Sequence, residues 1–147
     1  MKLLALDPGG STGFAIRDSE VIRGGQLEEP EHHRTLWDML DFERPDVVIC
    51  EEFQYQIRRN KGVDMPGVVL VSKEYIGITK LWCDIRQKEY VEQKLHVVGP
   101  SAFWTDDKLK AIDLYAAGKP HRNDAVRHLL YYITFTLGEK GYVMKLR

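Results

Sequence analysis

Leu3-Leu-Ala-Leu-Asp-Pro-Gly-Gly-Ser-Thr-Gly-Phe-Ala-Ile16 reads as two short apolar strands joined by a glycine-rich turn. Leu3 to Leu6 is a run of the kind a buried central strand makes. Pro8, Gly9 and Gly10 break that strand and turn the chain. Thr12 to Ile16 restarts it, so Asp7 is held at the edge of a sheet. Aspartate is a poor strand former and is rarely buried unless paired or metal-bound. Asp-Pro-Gly is also a common start of a turn, and this stretch alone leaves Asp7 open between turn residue and ligand.

Working outward, 147 residues suit a single domain, 1–147, that buries roughly 68–70% of its unfolded surface. The composition, 44% hydrophobic and 29% charged, is ordinary for a globular chain. No apolar run approaches the ~20 residues of a membrane span, and Met1-Lys2 leads into a core strand rather than a signal peptide. Cys50 and Cys83 lack metal-type spacing, so a reduced, cytoplasmic protein is expected. The net charge of −1 does not point to nucleic acid. Acidic residues gathered in a metal site would cancel basic residues gathered on a binding face, so distribution matters more than the sum.

In chain order, Ser19 to Gln26 reads as a third strand, close enough to the first two for an antiparallel meander. Glu28-Glu-Pro-Glu31 marks the start of a helix to about Phe42, with Leu36, Met39 and Leu40 inward. His32 and His33 are adjacent on it and do not face each other, so no metal site is expected there. Val47-Val-Ile-Cys50 is a second buried strand ending in carboxylate, at Glu51 and Glu52. The loop that follows carries Arg58, Arg59 and Lys61 beside Phe53 and Tyr55. That mixture suits a phosphate backbone with exposed bases, although a solvated loop carries the same residues.

Residues 67–92 read as one long helix with a stripe of Val68, Val71, Tyr75, Ile78, Trp82 and Ile85. Val69, Leu70, Ile76 and Leu81 extend its apolar surface beyond that stripe. Two apolar faces require two partners: the sheet, and either other helices of the domain or the same helix of a second subunit. Lys94 to Gly99 is expected as the fifth strand, and Pro100 to about Tyr115 as a helical region bearing Lys108. A last helix runs from about Arg122 to Leu137, stopped by Gly138 and Gly141. Three- and four-residue spacings put His121, Asp124 and His128 on one side of it. The order implies an α/β chain with a mixed five-stranded sheet, an antiparallel β1–β3 meander followed by β4 and β5, flanked by helices.

Asp7, Glu51 or Glu52, and Asp124 end two strands and begin one helix, which brings hard oxygen ligands from separate parts of the chain to one point. Magnesium prefers such ligands and keeps room for substrate phosphate oxygens. Two ions about 4 Å apart would serve a phosphodiester hydrolysis.

These residues carry a resemblance to the RuvC-like Holliday junction resolvases of the ribonuclease H-like superfamily, in the short form found in bacteriophages. Leu6-Asp-Pro-Gly-Gly-Ser-Thr-Gly-Phe-Ala-Ile16 is similar to the family's opening motif. Pro45-Asp-Val-Val-Ile-Cys-Glu51 resembles its second, a Pro-Asp strand ending in catalytic Glu. His121-Arg-Asn-Asp-Ala-Val126 resembles its last, two ligands three residues apart opening the final helix. The resemblance implies a ribonuclease H-like fold, catalytic and metal residues Asp7, Glu51, His121 and Asp124, and Mg²⁺ (with Mn²⁺ substituting) as two ions per site. It further implies cleavage of four-way junctions and other branched DNA in recombination, repair or phage DNA processing, by a homodimer formed through the 67–92 helix. DNA contacts fall to Phe53, Tyr55, Arg58, Arg59, Lys61 and Lys108; Gln54 stands where cellular members stack an aromatic, with Phe53 or Tyr55 in its stead. Two other functions stay open: a ribonuclease H-like enzyme acting on RNA or RNA–DNA hybrid, and a catalytically weak branched-DNA binding protein. An actin-like ATPase needs two such domains, which 147 residues do not supply.

Overall fold

The computed structural model describes residues 1–9, 11–27, 32–52, 71–93 and 99–146. Its centre is the apolar run of the opening stretch, β1 (Leu3–Asp7), which has a strand on either side. β2 (Thr12–Asp18) pairs with it antiparallel, and β3 (Val21–Leu27) pairs antiparallel with β2. β4 (Val47–Glu51) lies parallel on the other side of β1, and β5 (Glu89–Gln93) parallel beside β4. The sheet order is β3-β2-β1-β4-β5, the mixed five-stranded arrangement expected.

Strand alternation divides the core into two. Leu4, Leu6, Val48 and Cys50 face one way, against α1 (His32–Glu43) and α2 (Val71–Arg86). Leu3, Ala5, Val47 and Ile49 face the other, against Trp104, Leu109 and the apolar stripe Ala125, Val126, Leu129 and Leu130. Those residues belong to the stretch that contains α3 (Pro100–Phe103), α4 (Asp106–Ala111), α5 (Pro120–Tyr131) and α6 (Gly141–Met144). Polar clasps join α1 to α2: Trp82 Nε1 donates to Asp41 Oδ1 at 2.8 Å, and His33 Nε2 meets Glu74 Oε2 at 2.6 Å. His33 is therefore a structural contact.

Two sequence expectations are corrected here. The long helix does not reach residue 92: α2 stops at Arg86, and β5 occupies Glu89–Gln93, inside the stretch expected to be helical. The stop is a left-handed residue, Gln87 with φ 52°, closed by Lys88 N–H donating to Cys83 O at 2.8 Å. Glycine usually fills that position, and its absence hides the helix end. Beyond it Tyr90 and Val91 pack on opposite faces of the sheet, a period of two that an apolar stripe disguises. Secondly, the buried side of α2 is Tyr75, Ile76, Thr79, Trp82 and Cys83, while Ile85 from the expected stripe is 54% exposed. Residues 67–70 and 94–98 lie outside the described residues.

The region 100–115 is two helices broken at Trp104, and α5 runs on into a π-helical turn at Tyr132–Thr136. Gly138 ends that run with φ +72°, whereas Gly141 opens α6 rather than stopping anything. Both cysteines are free and buried, and among the described residues no helix is long and apolar enough to cross a membrane.

Candidate active site

β1 and β4 run in the same direction, so their C-terminal carboxylates, Asp7 and Glu51, emerge side by side at one edge of the sheet. Asp7 is only 7% exposed. The start of α5 brings the rest. It packs against β2 at Gly13, where a Cβ would stand 1.9 Å from His121 O, 2.2 Å from His121 C and 2.8 Å from Arg122 N. Only a residue without a side chain lets the helix come this close. Three further bonds fix the helix start: Arg122 N–H donates to Gln26 Oε1 at 3.3 Å, and the buried Asn123 exchanges two hydrogen bonds with the Ala116 backbone. His121 Nδ1 thereby lies 2.8 Å from Asp7 Oδ2, although 114 residues separate them in sequence.

Asp124 lies three residues further along α5, and its charge reaches both Asp7 and Glu51. Its carboxylate is paired with Arg127, which also pairs with Asp106 and donates from Nε to Trp104 O at 2.8 Å. Asp124 is thus anchored, through Arg127, to the α3–α4 corner. Among the described residues no three His, Cys, Asp or Glu side chains converge in an arrangement ready to hold a metal ion.

The electrostatics nevertheless describe a site short of positive charge. Burial raises the Asp7 carboxyl above the ordinary range, a hydrogen bond with Glu51 pulls it back, and the Asp124 charge raises it further. Glu51 is pushed up to about 8, first by burial and then by Asp7 and Asp124. The two carboxyls share a proton that a cation would displace. Carboxylate oxygens with one imidazole are the donors a hard divalent ion takes, so the residues fit the metal that the sequence motifs imply. Behind Glu51 sits His128, with Nε2 at 3.8 Å from Glu51 Oε2; burial and the Arg127 charge push it down to about 4.

This strain is measurable. The Glu51 pKa is raised from 4.5 to about 8, so the folded chain holds a proton that the unfolded chain has lost. Stability is then full below pH 4.5 and lost as pH rises towards 8. His128, depressed from 6.5 to about 4, works in the opposite direction below 6.5. The window that reports Glu51 is therefore pH 6.5–8. In metal-free buffer Glu51→Gln should abolish the decline there and raise Tm at pH 8 by about 3–6 °C, a kcal/mol or two. A wild-type melting profile that is flat or rising over that window contradicts it.

Of the residues expected to contact DNA, Phe53, Tyr55, Arg58, Arg59 and Lys61 lie outside the described residues. Lys108 Nζ donates to Phe103 O at 2.7 Å and sits 4.1 Å from the Phe103 ring centroid, so its ammonium is engaged at the α3–α4 corner. Glu52 continues the β4–β5 pairing, its N–H donating to Gln93 O at 2.8 Å. Sequence reasoning missed Gly13, Gln93 and Arg127. For Arg127 a signal existed, since Asp124 and Arg127 are three apart on one helix.

No protein-family model matches the chain, and no curated protein matches it in sequence. Solved structures do match in shape. T. thermophilus RuvC in complex with a Holliday junction substrate is similar at a TM-score of 0.65 and 15% identity, over 95% of this chain and 98% of that one. The fowlpox virus Holliday junction resolvase gives 0.52 at 15% identity over 94% and 97%. The fowlpox virus resolvase complexed with Holliday junction DNA gives 0.50 at 17% identity over 100% of both chains. At such identity the likeness is one of fold, and it extends over almost every element described above. The chain has the α/β, ribonuclease H-like fold of the RuvC-type Holliday junction resolvases.

Proposed function

We propose that this chain is a metal-dependent, structure-selective endonuclease that cuts Holliday junctions and other branched DNA. The observation that carries the reading is the meeting of Asp7, Glu51 and His121 at one sheet edge, with Asp124 a turn away, on a resolvase fold. Divalent ions, Mg²⁺ or Mn²⁺ and two per site, would be held by Asp7, Glu51, His121 and Asp124, and supply Lewis acidity at the scissile phosphate. The protein's own groups do the rest. Asp7 and Glu51 hold their oxygens on rigid strand ends rather than on loops. Asp7 accepts from His121 Nδ1, which turns the Nε2 lone pair of a 41% exposed ring outward, where it is free to coordinate an ion. Hydrolysis then proceeds in line, without a covalent intermediate.

Phe53, Tyr55, Arg58, Arg59, Lys61 and Lys108 are proposed as the DNA-contacting set, with aromatics on unpaired bases and cations on phosphates. A homodimer is proposed through the outward side of α2, where Leu81 and Ile85 are 53% and 54% exposed. Two sites related by a two-fold axis match the symmetry of a four-way junction.

The test is cleavage of end-labelled four-way junction, fork, flap and linear DNA duplex beside an RNA–DNA hybrid, in Mg²⁺ and in Mn²⁺, with sedimentation of the protein at micromolar concentration. Branched DNA should be cut at least about tenfold faster than linear duplex by a species of twice the chain mass. Preference for the hybrid would move the chain to the ribonucleases, since discrimination would then rest on 2′-hydroxyls. Binding of every junction without cleavage would leave a binding protein.

A further inference from the structure

His128 follows Asp124 by one helical turn on α5, is 3% exposed, and takes no part in the mechanism above. Its Nδ1 lies 2.7 Å from Gln93 Oε1, and Gln93 Nε2 donates to the His128 carbonyl at 3.2 Å. An amide has one accepting oxygen and one donating nitrogen, so the second bond fixes which atom faces the ring. Nδ1 must therefore carry the hydrogen, and Nε2 is left as a lone pair. Deep burial disfavours a proton there.

Gln93 is itself only 9% exposed and is the register partner of Glu51 across β5 and β4. The same strand pair thus sets both the carboxylate and the tautomer of the imidazole facing it. Nε2 and Glu51 Oε2 are 3.8 Å apart, too far for a hydrogen bond between them. Two ligands each about 2.1 Å from one ion stand roughly 3–4 Å apart. A buried nitrogen lone pair aimed at a carboxylate across that gap has the spacing of a ligand pair.

We propose that His128 Nε2 and the Glu51 carboxylate jointly hold a divalent cation, which adds a second imidazole to the site beside His121. This rests on reading Asp7, Glu51, His121 and Asp124 as a metal centre. Imidazole favours first-row transition metals over Mg²⁺, so the site takes Mn²⁺ or Co²⁺ in preference.

Calorimetric titration of the full chain with Co²⁺ and with Mg²⁺ tests it, using wild type, His128→Gln and Asp7→Asn. Wild type should bind Co²⁺ more tightly than Mg²⁺. His128→Gln should weaken Co²⁺ about tenfold or more and change Mg²⁺ by less than about threefold. Unchanged Co²⁺ affinity in His128→Gln, with loss in Asp7→Asn, overturns the role of His128 and leaves the metal centre standing. Absence of Co²⁺ binding by wild type overturns both. Because His128 is packed in the core, nitrogen NMR of histidine-labelled wild type gives a reading without mutation. The Nδ1-protonated tautomer and a Zn²⁺-induced shift of its Nε2 resonance are expected; a protonated Nε2, or one unmoved by Zn²⁺, overturns the proposal.

Discussion

Asp7→Asn is expected to slow cleavage of a four-way junction by about 10³-fold or more while leaving junction binding within about threefold of wild type. The substitution changes no volume, so its effect reads the carboxylate itself. Asp7 is 7% exposed and accepts from His121 Nδ1 at 2.8 Å, so two functions are lost at once. The site loses one negative charge, and an amide nitrogen turned towards Nδ1 forces the ring's hydrogen to its outer nitrogen, which then has no lone pair to offer an ion. Folding should not suffer. Burial and the Asp124 charge both raise the Asp7 pKa in the folded chain, and the neutral amide relieves that repulsion, so Tm should hold or rise. Cleavage within tenfold of wild type in a folded Asp7→Asn protein would remove Asp7 from the chemistry.

The second large effect is expected at a residue with no functional group. Gly13→Ala should destabilise the fold by roughly 2–4 kcal/mol, about 6–12 °C in Tm, and abolish cleavage. The added methyl would stand 1.9 Å from His121 O and 2.8 Å from Arg122 N, atoms of backbone that no rotamer change can move. Relief requires sliding the start of α5 off β2, which carries His121 and Asp124 away from Asp7 and Glu51. Gly9→Ala is the control: its Cβ would lie 3.2 Å from Ser11 O and 3.9 Å from His121 Cε1, a fit needing only small adjustment. A Gly13→Ala protein that melts within 2 °C of wild type and still cuts would refute the contact.

The sheet was legible because its strands announce themselves. Leu3–Leu6 and Val47–Cys50 are apolar on both faces, and each ends in a carboxylate that has no reason to sit in a core. The site was legible in its members for the same reason, and motif order supplied His121. What stayed hidden depends on pairs distant in sequence. Gln93 fixes the His128 ring across 35 residues, and nothing near either marks the other. The end of α2 was misread because Gln87 adopts a conformation that the eye seeks in glycine. Gly9 and Gly10 read as a turn that breaks the strand, but nothing beside Gly13 in sequence marks it as room for a helix.

That helix has a consequence for the timing of activity. The five strands of the described residues all precede it, so a ribosome has released them, with Asp7 and Glu51 at the sheet edge, before residues 120–131 emerge. The Asp7–His121 contact closes a span of 114 residues, the kind of non-local pairing that forms late. A nascent or prematurely terminated chain lacking α5 therefore carries Asp7 and Glu51 without His121 and Asp124, half of the proposed site. On the proposed function, activity waits for the docking of α5, so a chain stopped short of that helix is silent.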